Sequence, residues 1–145
     1  MWKYKNKVIE SLEDMPQGTF GFIYEVHHLP TGEKYLGKKV VEFSRTLPPL
    51  KGKKRKRKVF KESDWKTYYG SHQTIKKLIK EGKQDEFERE ILCFVPTKKL
   101  LTYYETKFLF IKEVLEPNDN SYINDNILAK FFRKDFFIDE TPTDT

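Results

Sequence analysis

The chain has 145 residues and 17.4 kDa, of which 37% are apolar, 34% charged and 15% aromatic. Twelve Phe, eight Tyr and two Trp supply too much large apolar surface for a disordered chain. No run approaches the roughly 18 apolar residues of a membrane span. The start, Met1-Trp2-Lys3-Tyr4-Lys5, lacks the apolar core of a secretion signal, and a lone Cys93 excludes both a disulfide framework and a cysteine-rich zinc site. A soluble, cytoplasmic protein with one domain over residues 1–145 is the expectation. The net charge of +6 is unevenly spread: residues 51–61 (KGKKRKRKVFK) hold eight bases and no acid, while residues 139–145 (DETPTDT) hold three acids and no base. A basic block of that density points to a polyanionic partner. On composition alone, a solvated loop or a localisation signal is the alternative.

In chain order, residues 1–17 are polar with scattered apolar positions and read as a loosely docked arm. Residues 20–26 (FGFIYEV) and 34–43 (KYLGKKVVEF) are β-branched and aromatic, separated by a stretch carrying Pro30 and Gly32. They predict a β-hairpin with a long loop. Residues 44–62, with Pro48-Pro49, Gly52 and the basic block, argue against regular structure. That segment reads as a basic loop that orders on binding. Ser63-Asp64 offers a cap for a short helix ending at Gly70, and Ser71 one for a second helix bearing Ile75, Leu78 and Ile79. Residues 87–95 (FEREILCFV), bounded by Pro96, predict a buried strand. Thr97 caps the longest helix, expected to run to about Glu116, with Leu101, Tyr104, Phe108, Ile111 and Leu115 on one apolar stripe. Phe131, Phe132, Phe136 and Phe137 are expected to pack as an outer layer. The predicted class is α+β, a small antiparallel three-stranded sheet flanked by helices.

Glu105 is the one acid among the nineteen residues 91–109, beside Tyr104 and Phe108 of the apolar stripe. A carboxylate there needs a cation or a metal. A salt bridge to Lys98, Lys99 or Lys107 is the alternative reading. One carboxylate with waters suits a hard, hydrated ion such as magnesium. His27, His28 and His72 lack the spacing of a zinc site.

Gly21-Phe22-Ile23-Tyr24 and Tyr35-Leu36-Gly37 fall on the two hairpin strands, with ten residues between the tyrosines. They are followed in order by Trp65-x-x-Tyr68-x-Gly70-Ser71, Phe87-x-x-Glu90-Ile91-Leu92, Glu105 and Ser121-Tyr122-Ile123-Asn124. This succession resembles the GIY-YIG nuclease family, in its tailed-phage, Seg-like branch, over residues of about 20–124. The resemblance implies a metal-dependent endodeoxyribonuclease, in the cytoplasm of an infected host cell if phage-encoded. It implies Tyr24 as general base, Tyr35 beside it orienting water or phosphate, and Glu105 as ligand of Mg2+ or Mn2+. It also implies Asn124 as a brace and a basic residue facing the phosphate. Arg45 has the family's offset from Tyr35, with Arg55, Arg57 or Lys39 as alternatives. His72 either contacts the phosphate or faces solvent. Since a phenol titrates near pH 10, Lys38 and Lys39 are the expected source of a field favouring the phenolate. Lys51, Lys53, Lys54, Arg55, Lys56, Arg57, Lys58 and Lys61 would bind duplex or branched DNA through its phosphates, with the protein a monomer or a transient homodimer. The rival expectation is a non-catalytic nucleic-acid-binding module that keeps the basic segment.

Overall fold

The computed structural model describes residues 1–136. Phe137 and the acidic tail 139–145 lie outside the described residues. The central strand is β3 (Gly21–His28), whose first six residues are buried on both faces. It pairs antiparallel with β4 (Lys34–Val40), Tyr24 opposite Gly37, and with β7 (Phe87–Val95), Tyr24 opposite Ile91. These three strands are the expected antiparallel sheet. The sheet is larger, however. β1 (Trp2–Tyr4) runs parallel to β7 and pairs with β2 (Lys7–Ile9), giving a five-stranded mixed sheet in the order β2-β1-β7-β3-β4.

The expected loose arm is therefore a structural hairpin. Trp2 is 1% exposed, donates its indole N–H to the Trp65 carbonyl at 2.7 Å, and meets the rings of Phe22 and Tyr24 edge-on at 4.9 and 5.4 Å. Arg89 adds to this joint. Its guanidinium lies 4.6 Å from the Trp2 ring and 4.1 Å from that of Tyr69, and it donates to the carbonyls of Lys66 and Tyr68.

The segment expected to be irregular, 44–62, is another correction. Strands β5 (Glu42–Leu47) and β6 (Arg57–Glu62) form a separate two-stranded ribbon, with only residues 48–56 left as its tip. Pro48 and Pro49 fall in the turn, where their missing donors cost nothing. A single 3-10 turn, Trp65–Thr67, follows. The helix after it, α1 (Gln73–Lys80), is capped by His72, whose Nδ1 accepts from Thr74 N, in place of Ser71.

Helix α2 (Lys98–Ile111) starts where expected, with Thr97 accepting from Leu100 N, but ends before Glu116. Its buried positions are Leu101 and Leu109, and Ile111 is exposed. Leu115 is buried from the irregular chain beyond the helix. Two short strands, β8 (Asn126–Ile127) and β9 (Phe131–Phe132), close the fold. Phe131, Phe132 and Phe136 remain exposed, so the expected phenylalanine layer does not form among them.

Period-two alternation divides the central strands between two cores. Phe22, Tyr24 and Val26 face Trp2, Trp65 and Ile75; Ile23 and Leu36 face Leu101, Leu109 and Tyr122. Helix α2 approaches closely because residue 21 is glycine: a Cβ there would lie 2.6 Å from the Lys39 carbonyl and 2.9 Å from Leu101. Among the described residues, no helix is long and apolar enough to cross a membrane.

Candidate active site

β4 is an edge strand, and the site forms where the two sheet faces meet around that edge. Tyr35, from one face, and Glu105 of α2, from the other, line one cleft of about 310 Å³ with Ser71, His72, Asn124 and Asp125. Tyr24 sits behind it, 1% exposed. Gly37 makes the two faces communicate. A Cβ at residue 37 would lie 2.5 Å from the Tyr24 hydroxyl and 3.1 Å from the Tyr35 ring, so only glycine lets the Tyr24 phenol lie across β4. Gly70, at a φ of +110° that favours glycine, lies on the other side, where a Cβ would sit 3.4 Å from that hydroxyl.

The phenols form a cluster. The Tyr24 ring centroid is 6.4 Å from that of Tyr35 and 6.0 Å from that of Tyr68, and the Tyr35 hydroxyl shares a 2.8 Å hydrogen bond with Ser71 Oγ. Burial pushes the Tyr24 phenol well above its ordinary value, and Tyr68, Tyr35 and Glu105 push the same way. Tyr35 is also raised, again by burial first, against the Ser71 hydrogen bond that lowers it. The expected lysine field is thus overcome. Lys39 turns to Asp64 at 2.5 Å and lies over the Tyr68 ring, while Lys38 donates to Thr102 Oγ1 at 3.1 Å.

Glu105 keeps a 21% exposed side chain, and its partner is none of the three helix lysines expected. Lys38 Nζ lies 3.8 Å from Oε1, a loose pairing. Burial raises the Glu105 carboxyl above the usual range, and Lys38 offsets this only in part. The result is a desolvated carboxylate facing a polar cleft with too little positive charge beside it.

Asn124 is buried and completes the edge of β4 in place of a strand. It accepts from Leu36 N at 3.1 Å and donates to the Leu36 carbonyl at 2.8 Å. The bridge from Lys34 to Tyr122 extends the same edge. His72 lies in the cleft wall. With Nδ1 accepting from Thr74, its Nε2 points at Asp125 Oδ2, 3.4 Å away. Arg45, by contrast, stands exposed on β5 opposite Val59 and is not among the side chains lining the cleft. Arg55 and Arg57 belong to the same ribbon, at its tip and on β6.

Ser71 and Asp125 are not expected from the sequence as site residues; Ser71 sits inside the W-x-x-Y-x-G-S element, the available signal, and Asp125 has none. Tyr68, with Trp65, Thr67 and Tyr69 a candidate for stacking or sugar contacts, packs instead on Tyr24. Deeper in the fold, Glu25 is held at about 2: burial raises it, but hydrogen bonds from His27 and Tyr122 and the Lys112 ammonium at 3.2 Å prevail.

A family model described as "Putative endonuclease segE, GIY-YIG domain" matches residues 2–127. No curated protein and no solved structure matches the chain.

Proposed function

The chain belongs to the SegE-type GIY-YIG endonuclease family, and from that premise we propose that it hydrolyses DNA phosphodiester bonds at the Tyr35–Glu105 cleft. The observation that carries this reading is the convergence on one cleft of a phenol and a lone helical carboxylate from opposite faces of the sheet. A second phenol reaches the same edge across Gly37.

In this reading Tyr24 takes the proton of the attacking water and Tyr35, steadied by Ser71, orients that water or the phosphate. A neutral, buried Tyr24 is a strong base once ionised but is rarely ionised near neutrality, so proton removal limits the rate there. Lys38, beside Glu105, replaces Arg45 as the cation facing the phosphate, where it offsets the charge that develops on the non-bridging oxygens. Asn124 holds β4, and with it Tyr35 and Gly37, in register.

Glu105 fits a hydrated divalent ion. Its charge is under-compensated in a polar cleft, and among the described residues no group of three or more His, Cys, Asp or Glu forms an all-protein cage. That is the one-carboxylate donor set magnesium or manganese accepts when waters and phosphate oxygens complete the shell. When bound there, the ion would supply positive charge at the leaving oxygen. The basic ribbon contributes affinity: about six phosphate contacts from its bases would give a logarithmic salt slope of roughly −5.

The test is plasmid cleavage with magnesium. Wild-type protein is expected to nick or cut, and Glu105→Ala and Tyr24→Phe each to lose at least about a hundredfold in rate. Cutting that survives both substitutions rejects the assignment. Salt-sensitive DNA binding by wild type with no metal-dependent cutting would leave the binding-module reading in its place.

A further inference from the structure

We infer that the β5–β6 ribbon is a major-groove reader, which gives the nuclease a base preference a few base pairs from its cut. The inference rests on the nuclease reading above for its partner, DNA, and on the geometry of the ribbon for everything else.

The basic segment is not a string of charges on a loop. Six consecutive residue pairs, from Glu42 opposite Glu62 to Leu47 opposite Arg57, form an antiparallel ladder that, among the described residues, pairs with no other strand. Both its faces are solvated: Phe43 is 53% exposed and Phe60 67%. A lone two-stranded ribbon is marginally stable in water, so large apolar side chains displayed on one call for a surface that covers them.

Residues directly opposite share a face, and the two faces differ. One carries Phe43, Arg45, Leu47, Arg57, Val59 and Lys61, three cations interleaved with three apolar groups and no acid. The other has acids at its root, Glu42 and Glu62, beside Ser44, Thr46, Lys58 and Phe60. Only the first face suits a polyanion along its whole length. Its composition also suits base edges: an arginine fork matches the two acceptors of guanine, and an apolar side chain the thymine methyl. The side chains of Arg45 and Lys61 make no hydrogen bond or ion pair among the described residues, and that of Arg57 makes a single 3.4 Å bond to the Pro48 carbonyl. A two-stranded ribbon fits the roughly 12 Å major groove, whereas the roughly 6 Å minor groove barely exceeds the ~5 Å between the two backbones and leaves no room for their side chains.

The root of the ribbon abuts the site. β5 follows β4 after one residue, Val41, and Ser63 N donates to the Val41 carbonyl at 2.8 Å where the chain returns. The next residue, Asp64, holds Lys39, which lies over the Tyr68 ring packed on Tyr24. Six strand residues span roughly 20 Å, about six base-pair steps. The preferred bases should therefore lie within about six pairs of the scissile bond, with the Lys51–Lys56 tip on phosphates beyond them.

Two measurements test this. In the first, the full-length Glu105→Ala protein is bound to random-sequence duplex methylated with dimethyl sulfate. Methylation at guanine N7, in the major groove, is expected to interfere. In the second, ends produced by wild type and by ribbon variants are sequenced. Arg45→Ser with Arg57→Ser should flatten the base preference, each arginine being worth about 5- to 150-fold in discrimination. Thr46→Ala with Phe60→Ser, on the other face, should keep it. Arg45→Lys should weaken the preference while the salt slope stays within about one of wild type, because the charge remains and the fork is lost. Interference at adenine N3 alone, no base interference at all, or equal loss of preference from both faces would overturn the inference. The two readings fail separately: interference without cutting by wild type sinks the nuclease assignment alone, and cutting without interference sinks the groove reader alone.

Discussion

Replacing Gly37 by alanine probes the cleft with a single methyl group. That carbon would lie 2.5 Å from the Tyr24 hydroxyl oxygen, 2.7 Å from Tyr24 Cζ and 3.1 Å from Tyr35 Cε2. Ordinary contacts begin near 3.5 Å, so the Tyr24 ring must retreat by about 1 Å, and Tyr35 by less. Tyr24 is enclosed by Trp2, Phe22 and Tyr68, which leaves it little room to do so without strain. Overpacking of this kind costs about 1–3 kcal/mol, or roughly 3–10 °C in Tm for a domain of this size. The rate should suffer far more, since an ångström of misplacement at reacting groups costs about a hundredfold. The matched control is Gly82→Ala. Gly82 has a φ of +82° and open space around it, so alanine there strains the backbone and touches no phenol. Thermal unfolding and plasmid cleavage at 20 °C would be measured for both. Gly37→Ala is expected to lose about two orders of magnitude in cleavage, and Gly82→Ala to cut like wild type despite a similar fall in Tm. Wild-type cutting by Gly37→Ala would refute the placement of Tyr24 in the chemistry.

Glu105→Gln should abolish cleavage while raising Tm at pH 7. The folded carboxyl has a raised pKa, so its contribution to stability is present below the unfolded value and lost as pH rises through the folded one, and removing the charge relieves that loss; a lower Tm would contradict it. Glu25 behaves oppositely. Its pKa falls from 4.5 to about 2, so it stabilises the fold by about 3 kcal/mol above pH 4.5 and that is lost as pH falls toward 2; an acid titration of stability on Glu25→Gln should show the drop in this window shrink. Trp2→Ala should cost about 3–5 kcal/mol by urea unfolding, as for a core aromatic, whereas a loosely docked arm would lose well under 1. With Tyr24 raised well above its ordinary value in the free protein, log kcat/KM should climb with unit slope through pH 9, and a plateau near neutrality would assign the base elsewhere.

The tail of the aromatic cluster shows where local signals stop. Tyr24, Tyr35, Gly37 and Glu105 were legible as candidates because motif spacing along two strands and one helix survives in one dimension, and Asn124 from the short motif in the irregular chain beyond that helix. Their electrostatics were not. The raised phenols come first from burial behind Gly37 and then from Tyr68, and Lys39, the expected field, is held by an aspartate twenty-five positions away. Arg45 had the right offset, yet its strand leaves the sheet at Val41 and carries it onto the ribbon.

Alone, the order of residues settled what depends on neighbours in the chain: the β3–β4 hairpin, β7, the Thr97 cap, and the glycine and tyrosine positions that mark the family. Strand propensity, capping and turn chemistry act over a few residues, so they can be read there. Tertiary structure decided the rest, since it arises from pairings between distant segments. Trp2 becomes core through Trp65, sixty-three residues on, and the lysine-rich segment becomes a ribbon because β6 finds β5 across a double-proline turn. Glu105 meets Tyr35 because both reach around the edge of β4.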